Sequence, residues 1–458
     1  MSKRTKKPVK IRYHEGLPQI RSDAGGIDVG SREIWVDVGI ERDSEPVRCF
    51  ETFTADLIQL AEWLIRCGIR SVAMESTGVY WIPVCQILEP RGIEVLLVNA
   101  AYAKNVSGRK SDTLDCQWLR TLHCYGLLPG SFRPAADIGV LRSYLRHRQM
   151  LIEYAAGHIQ HMQKALTQMN LQLAHVISDI TGLTGMKIIR AIVGGQRDPV
   201  QLAALRGSRI KSDEQTIAKA LQGDYRPEHV FALQQSLELF DTYQTQIQAC
   251  DQQIAAHLKT LASKVDLEQE PLKARRTAKK KHRNEPSFDC RSQAYRISGV
   301  DLTRIDSINE SAALSLIAEI GVDMSPWKTE KHFASWLTLC PNNKVSGGKV
   351  LQRSTRKSVS RARDILRLCG QSLLSSRSAL GAYCRRLCAR LGMAKGITAA
   401  AHKLALLVYR TLKFGRDYVD VGQDRYEEAF KQRTLKQLGR RARDLGFTLV
   451  PSSSELVP

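Results

Sequence analysis

Residues 26–39 read GIDVGSREIWVDVG, and this stretch decides the fold. Gly26-Ile27-Asp28-Val29-Gly30 opens one strand. Glu33 to Gly39 reads as the next, with Ile34, Val36 and Val38 on one face. Outward from there, Val47 to Phe53 reads as a third strand. Ala55 to Cys67 has helical spacing at Leu57, Leu60 and Leu64. Ser71-Val72-Ala73-Met74-Glu75 is a short buried strand that ends in a carboxylate. Tyr80 to Glu89 is helical, and Gly92 to Asn99 is again a strand.

Three strands in a meander, then helix, strand, helix, strand, is the order expected of an α/β RNase H/RuvC-like domain. The spacing predicts a basic arm over 1–20, this domain over 21–136, a helical coiled-coil dimerisation segment over 137–266, a basic linker over 267–294, and a mainly α-helical domain with a basic tail over 295–458. In the third part, Leu141, Leu145, Arg148, Ile152, Ala155, Ile159, Met162, Leu166, Met169, Leu173, Val176, Ile180 and Leu183 follow a 4-3 alternation. All of them but Arg148 are apolar. Gly157 and Gly182 are candidate interruptions. A second run, Leu233, Leu237, Phe240, Ile247, Ile254, Leu258 and Leu261, repeats the spacing, with Gln244 and Asp251 as polar breaks. The two runs either pack antiparallel within one chain or pair between chains, and pairing between chains is the expectation.

Composition narrows the partner. Among 458 residues, 68 Lys and Arg face 46 Asp and Glu, a net charge of +22, which points to a polyanion, nucleic acid before an acidic membrane. No run of 18 apolar residues supports a membrane span. The basic N-terminus lacks the apolar stretch of a secretory signal. Eleven scattered Cys fit reduced thiols in a cytoplasm, and Cys384 and Cys388 read as packing residues.

Chemistry concentrates at two places. In Lys110-Ser111-Asp112-Thr113-Leu114-Asp115, carboxylates at i and i+3 share one helix face. In the expected sheet, Asp28 and Glu75 lie on adjacent strands, and this helix is laid against them. Four converging carboxylates repel unless cations compensate. Mg²⁺ suits hard oxygen ligands, and two such ions about 3.5–4 Å apart serve phosphodiester cleavage. The second place is Lys344-Val345-Ser346-Gly347-Gly348-Lys349, followed by Arg353, Arg356 and Lys357. A serine before two glycines lets backbone approach a phosphate. It is either a basic DNA-contacting turn or a nucleophile. Lys110, Lys344, Lys349, Arg353, Arg356 and Lys357 are the nucleic-acid-binding candidates.

These residues resemble transposases of the insertion sequence 110 family, including its 1111 subgroup. The matching stretches are Gly26 to Gly30, Met74-Glu75-Ser76-Thr77-Gly78-Val79-Tyr80, Val98-Asn99 through Asp115, Ser346-Gly347-Gly348, and Gly396 through Gly415. The resemblance implies a RuvC-like DEDD domain, a coiled coil and a C-terminal Tnp domain. It places the tetrad at Asp28, Glu75, Asp112 and Asp115, the site of two Mg²⁺, and the Tnp-domain serine at Ser346. It further implies DNA recombination at the ends and target of a mobile element, guided in some members by a structured RNA. The expected protein is a prokaryotic, nucleoid-associated homo-oligomer, dimer or tetramer. Ser307-Ile308-Asn309-Glu310 stands where the family often carries Gly-Ile-Gly. The run Leu351-Gln352-Arg353-Ser354-Thr355 also departs, which keeps Ser354 as a rival to Ser346. Two other readings use the same residues: a junction nuclease with water as nucleophile, or a non-catalytic nucleic-acid-binding scaffold.

Overall fold

The computed structural model describes residues 19–76, 78–99, 112–274, 283–352, 360–415 and 418–450. It divides into two compact units, Met1–Arg133 and Pro134–Pro458.

The first unit is a five-stranded mixed sheet with helices on both faces. β1 (Ala24–Val29), β2 (Glu33–Asp37) and β3 (Val47–Glu51) form an antiparallel meander. α1 (Thr54–Arg66) returns the chain so that β4 (Ser71–Glu75) runs parallel to β1 on its other side. After α2 (Trp81–Leu88), β5 (Glu94–Val98) runs parallel to β4. The order β3-β2-β1-β4-β5 is that of an RNase H/RuvC-like sheet, as the sequence predicts. The alternation explains both faces. Ile27, Val29, Ile34, Val36, Val72, Met74 and Leu97 point to the α1/α2 side, where they pack with Leu57, Leu60, Leu64, Val84 and Leu88. Ala73 and Val98 point to the other side and pack with Leu119 of α3 (Asp112–Cys124). Burying a Leu or Ile fully contributes about 1.5–3 kcal/mol, so the apolar face dominates the unit's stability.

The second unit is almost entirely helical. α4 (Ala136–Gln168) and α6 (Pro227–Thr260) lie side by side along their length. They run antiparallel: His257 meets the Asp137 carbonyl at 2.9 Å, and the rings of Tyr154 and Tyr243 lie 5.9 Å apart. Buried members of the two seams, Leu141, Ala155, Met162, Leu237, Phe240 and Ile254 among them, therefore pack within one chain, the first of the two arrangements that the spacing allows. The two polar members of the seams explain one another. Arg148 and Asp251, 5% and 3% exposed, form a buried two-pronged ion pair, and Asp251 also accepts the Ser287 N–H at 2.9 Å.

The first seam also stops sooner than its spacing suggests. α4 passes Gly157 without a break and ends at Gln168, and Asn170 turns the chain with φ +55. Leu173 and Ile180 are buried in a small helical cap with α5 (Leu183–Val193), and Leu183 is 77% exposed. Residues 275–282 of the basic linker, and the basic arm up to residue 18, lie outside the described residues. The linker's next residues are held: Arg148 donates to the Asn284 carbonyl at 3.0 Å.

Beyond the linker come α7 (Cys290–Ser298), α8 (Glu310–Ile320), α9 (Glu330–Trp336), a hairpin of β6 (Lys344–Ser346) and β7 (Lys349–Gln352), α10 (Arg361–Ser372), α11 (Ala379–Leu391), α12 (Met393–Phe414) and α13 (Gln423–Asp444). Side chains cap the starts: Asp289, Asn309, Thr329, Ser360 and Ser378 each accept a backbone N–H of the first turn. α12 is the central helix, with Ala400, Ala401, Leu404, Ala405 and Val408 buried against α9, α10 and α11. The basic turn expected around Ser346 is a strand pair. Val345-Ser-Gly-Gly-Lys-Val350 carries it: Gly347 and Gly348 have φ +53 and +76, as a two-residue type I′ turn requires.

Candidate active site

Strand register places the first two carboxylates. β1 and β4 pair in parallel with Ile27 opposite Met74, so Asp28 and Glu75 follow in step and project to the same face, the one α3 covers. Both are partly buried. Glu75 in turn pairs with Val98 across β5.

Asp112 is the first residue of α3 and Asp115 lies one turn further on. The buried stripe of α3 is Cys116, Leu119, Arg120 and His123, and position 112 is one turn before Cys116 on that stripe. Asp115 beside it is exposed. Burial, then the negative charges of Asp37 and Asp28, push the Cys116 thiol up, so the Asp28 carboxylate is felt at the start of α3. The donor set suits a hard divalent cation in kind. Among the described side chains, which do not include that of Asp112, no three carboxylates or other metal ligands converge on one point. Lys110 lies outside the described residues.

Three contacts that sequence reasoning missed hold α3 in place. Gly26 allows close approach, because a Cβ there would lie 2.1 Å from the Cys116 carbonyl oxygen and 2.4 Å from the Arg120 nitrogen. Arg120, 2% exposed, donates through Nε to Asp37 on β2 at 2.7 Å and through Nη1 to Glu41 at 3.2 Å. Asp37 also accepts the Gly39 N–H at 3.0 Å. His123, 1% exposed, bonds Ser71 Oγ on β4 at 2.8 Å, and burial, with Arg21 beside it, holds its pKa at about 4. The available signal was a charged residue on the buried stripe of a short helix. It marks a partner without naming one.

Ser346 belongs to the other unit. It ends β6, is exposed, and is the register partner of Lys349, which is exposed as well. Lys344 begins β6. Arg353, Ser354, Arg356 and Lys357 lie outside the described residues.

Two family models match the chain. One, named for the DEDD domain of IS110 transposases and described as Transposase, matches residues 25–171. The other, described as Transposase IS116/IS110/IS902 family, matches residues 301–385. The chain belongs to the IS110 family of transposases. The first match holds the sheet and α3, hence all four carboxylates, and the second holds Ser346. No curated protein matches. No helix among the described residues of this IS110 transposase is long and apolar enough to cross a membrane, and its partner is DNA. Its Ser307 has φ +75, a left-handed conformation that costs a side chain about 1–2 kcal/mol. Asn309 then caps α8 by accepting the Ala312 N–H at 2.8 Å.

Proposed function

We propose that this transposase cuts and rejoins DNA strands through a phosphoserine link, and that Asp28, Glu75, Asp112 and Asp115 are the residues that would hold two Mg²⁺ ions. Bound there, the ions would neutralise the scissile phosphate and the departing oxygen. The in-step placement of Asp28 and Glu75 on the face covered by the helix of Asp112 and Asp115 is the observation that carries this reading.

The chain's own residues do the rest. Ser346 Oγ loses its proton and attacks phosphorus. The Oγ–P bond forms, the P–O3′ bond breaks, and the 3′ oxygen leaves protonated as a free hydroxyl. A 3′-hydroxyl of the partner strand then attacks the same phosphorus, forms the new P–O3′ bond and returns the serine. Two transesterifications conserve the phosphodiester energy and need no further reactant. Lys344, Lys349, Arg353, Arg356 and Lys357 surround the serine in sequence and would offset phosphate charge; Lys110 would do so beside the tetrad. A homo-oligomer follows from need: one subunit presents one tetrad, while recombination cuts several strands. An element-encoded structured RNA would select the partners, and the host chromosome in a prokaryotic cytoplasm would be the place of action.

The experiment compares Ser346→Ala and Asp28→Asn proteins with wild type in Mg²⁺, with copurified RNA and DNA carrying element ends. Wild type should give a protein–DNA adduct on denaturing gels and joined product. Ser346→Ala should give neither. Joining by Ser346→Ala would overturn the serine link, and nicking without joining would favour water as nucleophile. Unchanged joining by Asp28→Asn would overturn the tetrad.

A further inference from the structure

α13 is reached by neither family match, and the chemistry above gives it no task. Its two halves differ. The first docks on α11: the Arg386 guanidinium lies 3.6 Å from the Phe430 ring centroid, and Arg385 donates to Gln423 at 2.8 Å. From Lys431 the helix runs on to Asp444, and no residue of α13 is buried. Charge divides at the same place. Asp424, Glu427 and Glu428 lie in the docked half, whereas Lys431, Arg433, Lys436, Arg440, Arg441 and Arg443 follow with no carboxylate before Asp444.

The basic residues are also sorted around the helix. At 3.6 residues per turn, Arg433, Lys436, Arg440 and Arg443 fall within an arc of about 80°, along about 15 Å of axis. Leu435, Leu438, Ala442 and Leu445 fall on the opposite side. The four cations are exposed, and among the described residues none pairs with a carboxylate. Like charges at i, i+3 and i, i+4 destabilise a helix by a few tenths of a kcal/mol each. The helix dipole favours cations only in the last turn, which leaves Arg433 and Lys436 uncompensated. A polyanion relieves this strain.

We propose that the face Arg433, Lys436, Arg440 and Arg443 docks the phosphate backbone of duplex DNA irrespective of sequence, in addition to the contacts at the cutting site. The inference rests on the transposase's DNA partner and not on the tetrad or the serine. A membrane fits less well: residues 431–444 contain no aromatic side chain, and Lys431 interrupts the apolar side.

The test uses the full chain carrying Asp28→Asn, so that binding is read without cleavage. Affinity for a short random-sequence duplex, a stem-loop RNA and phosphatidylserine vesicles is measured across salt concentrations. Replacing all four cations with Gln should shrink the salt slope for duplex by about 3–4 and lower affinity at least tenfold at low salt. The off-face pair Lys431→Gln/Arg441→Gln should change the slope by less than about 1. A chain ending at Phe430 should reproduce the fourfold variant, and far-UV circular dichroism should show both folded. An unchanged duplex slope would overturn the proposal. So would an equal loss per charge from the off-face pair, or a loss confined to RNA or to vesicles. Binding and joining are separate readouts, so failure here leaves the phosphoserine chemistry standing, and the reverse.

Discussion

Asp28 and Ser346 both sit at or near the end of a strand, yet the two strands are held in opposite ways. β1 is bonded on both edges and packed on both faces, and Gly26 draws α3 onto it. β6 has one partner in a two-stranded hairpin, with Val345 59% and Leu351 70% exposed. A lone hairpin is marginally stable in water. Asp28 and Glu75 thus sit on strands that packing already holds in place. The serine is fixed mainly by its turn.

The sharpest break of that contrast is chemical. Asp28→Asn and Asp112→Asn should each lower strand joining by on the order of 10³-fold or more. DNA affinity, read by fluorescence polarisation, should stay near wild type. Removal of the divalent cation with a chelator should have the same effect.

Next come substitutions that loosen α3 without altering Asp28, Glu75, Asp112 or Asp115. Arg120→Met strands Asp37 in the interior and should cost about 3–5 kcal/mol in urea unfolding. Gly26→Ala forces a Cβ against the backbone of α3 and should cost about 1–3 kcal/mol, with joining impaired in the protein that still folds. If joining survives either change at wild-type rate, the fixed-site half of the contrast is wrong.

His123 gives a pH signature to the same helix. Its folded pKa of about 4 lies below that of a free histidine, about 6.5, so the unfolded chain takes up the proton first. Stability contributed by neutral His123 is complete above about pH 6.5 and is lost as pH falls toward 4, on the order of 3 kcal/mol in total. Urea midpoints at pH 7 and pH 5 should converge in His123→Gln. The smallest effect belongs to the hairpin. Gly348→Ala imposes a left-handed alanine at φ +76 and should cost about 1 kcal/mol locally, seen as faster amide exchange in β6 and β7.

Legibility follows the same division. The seven strands and helices from Gly26 to Asn99 are readable because their periodicities are local and strong, and so is the placing of Asp28 and Glu75 on adjacent strands. The Arg120–Asp37 and Arg148–Asp251 pairs are not, because their members lie 83 and 103 residues apart and each reads locally as a solvated charge. The hairpin is legible in principle, because two glycines flanked by Val345 and Val350 are a type I′ signal. The seam was overextended because 4-3 spacing does not register the turn at Asn170.

The Arg148–Asp251 pair has a last consequence. An apolar zipper with a regular repeat tolerates sliding, since Leu on Leu one heptad along looks much the same. A guanidinium set among apolar neighbours has a single address. Shifted by a turn, it would face hydrocarbon with no counter-ion, a penalty far larger than any leucine mismatch. The pair formed by α4 and α6 therefore closes in only one phase along its length of about 50 Å.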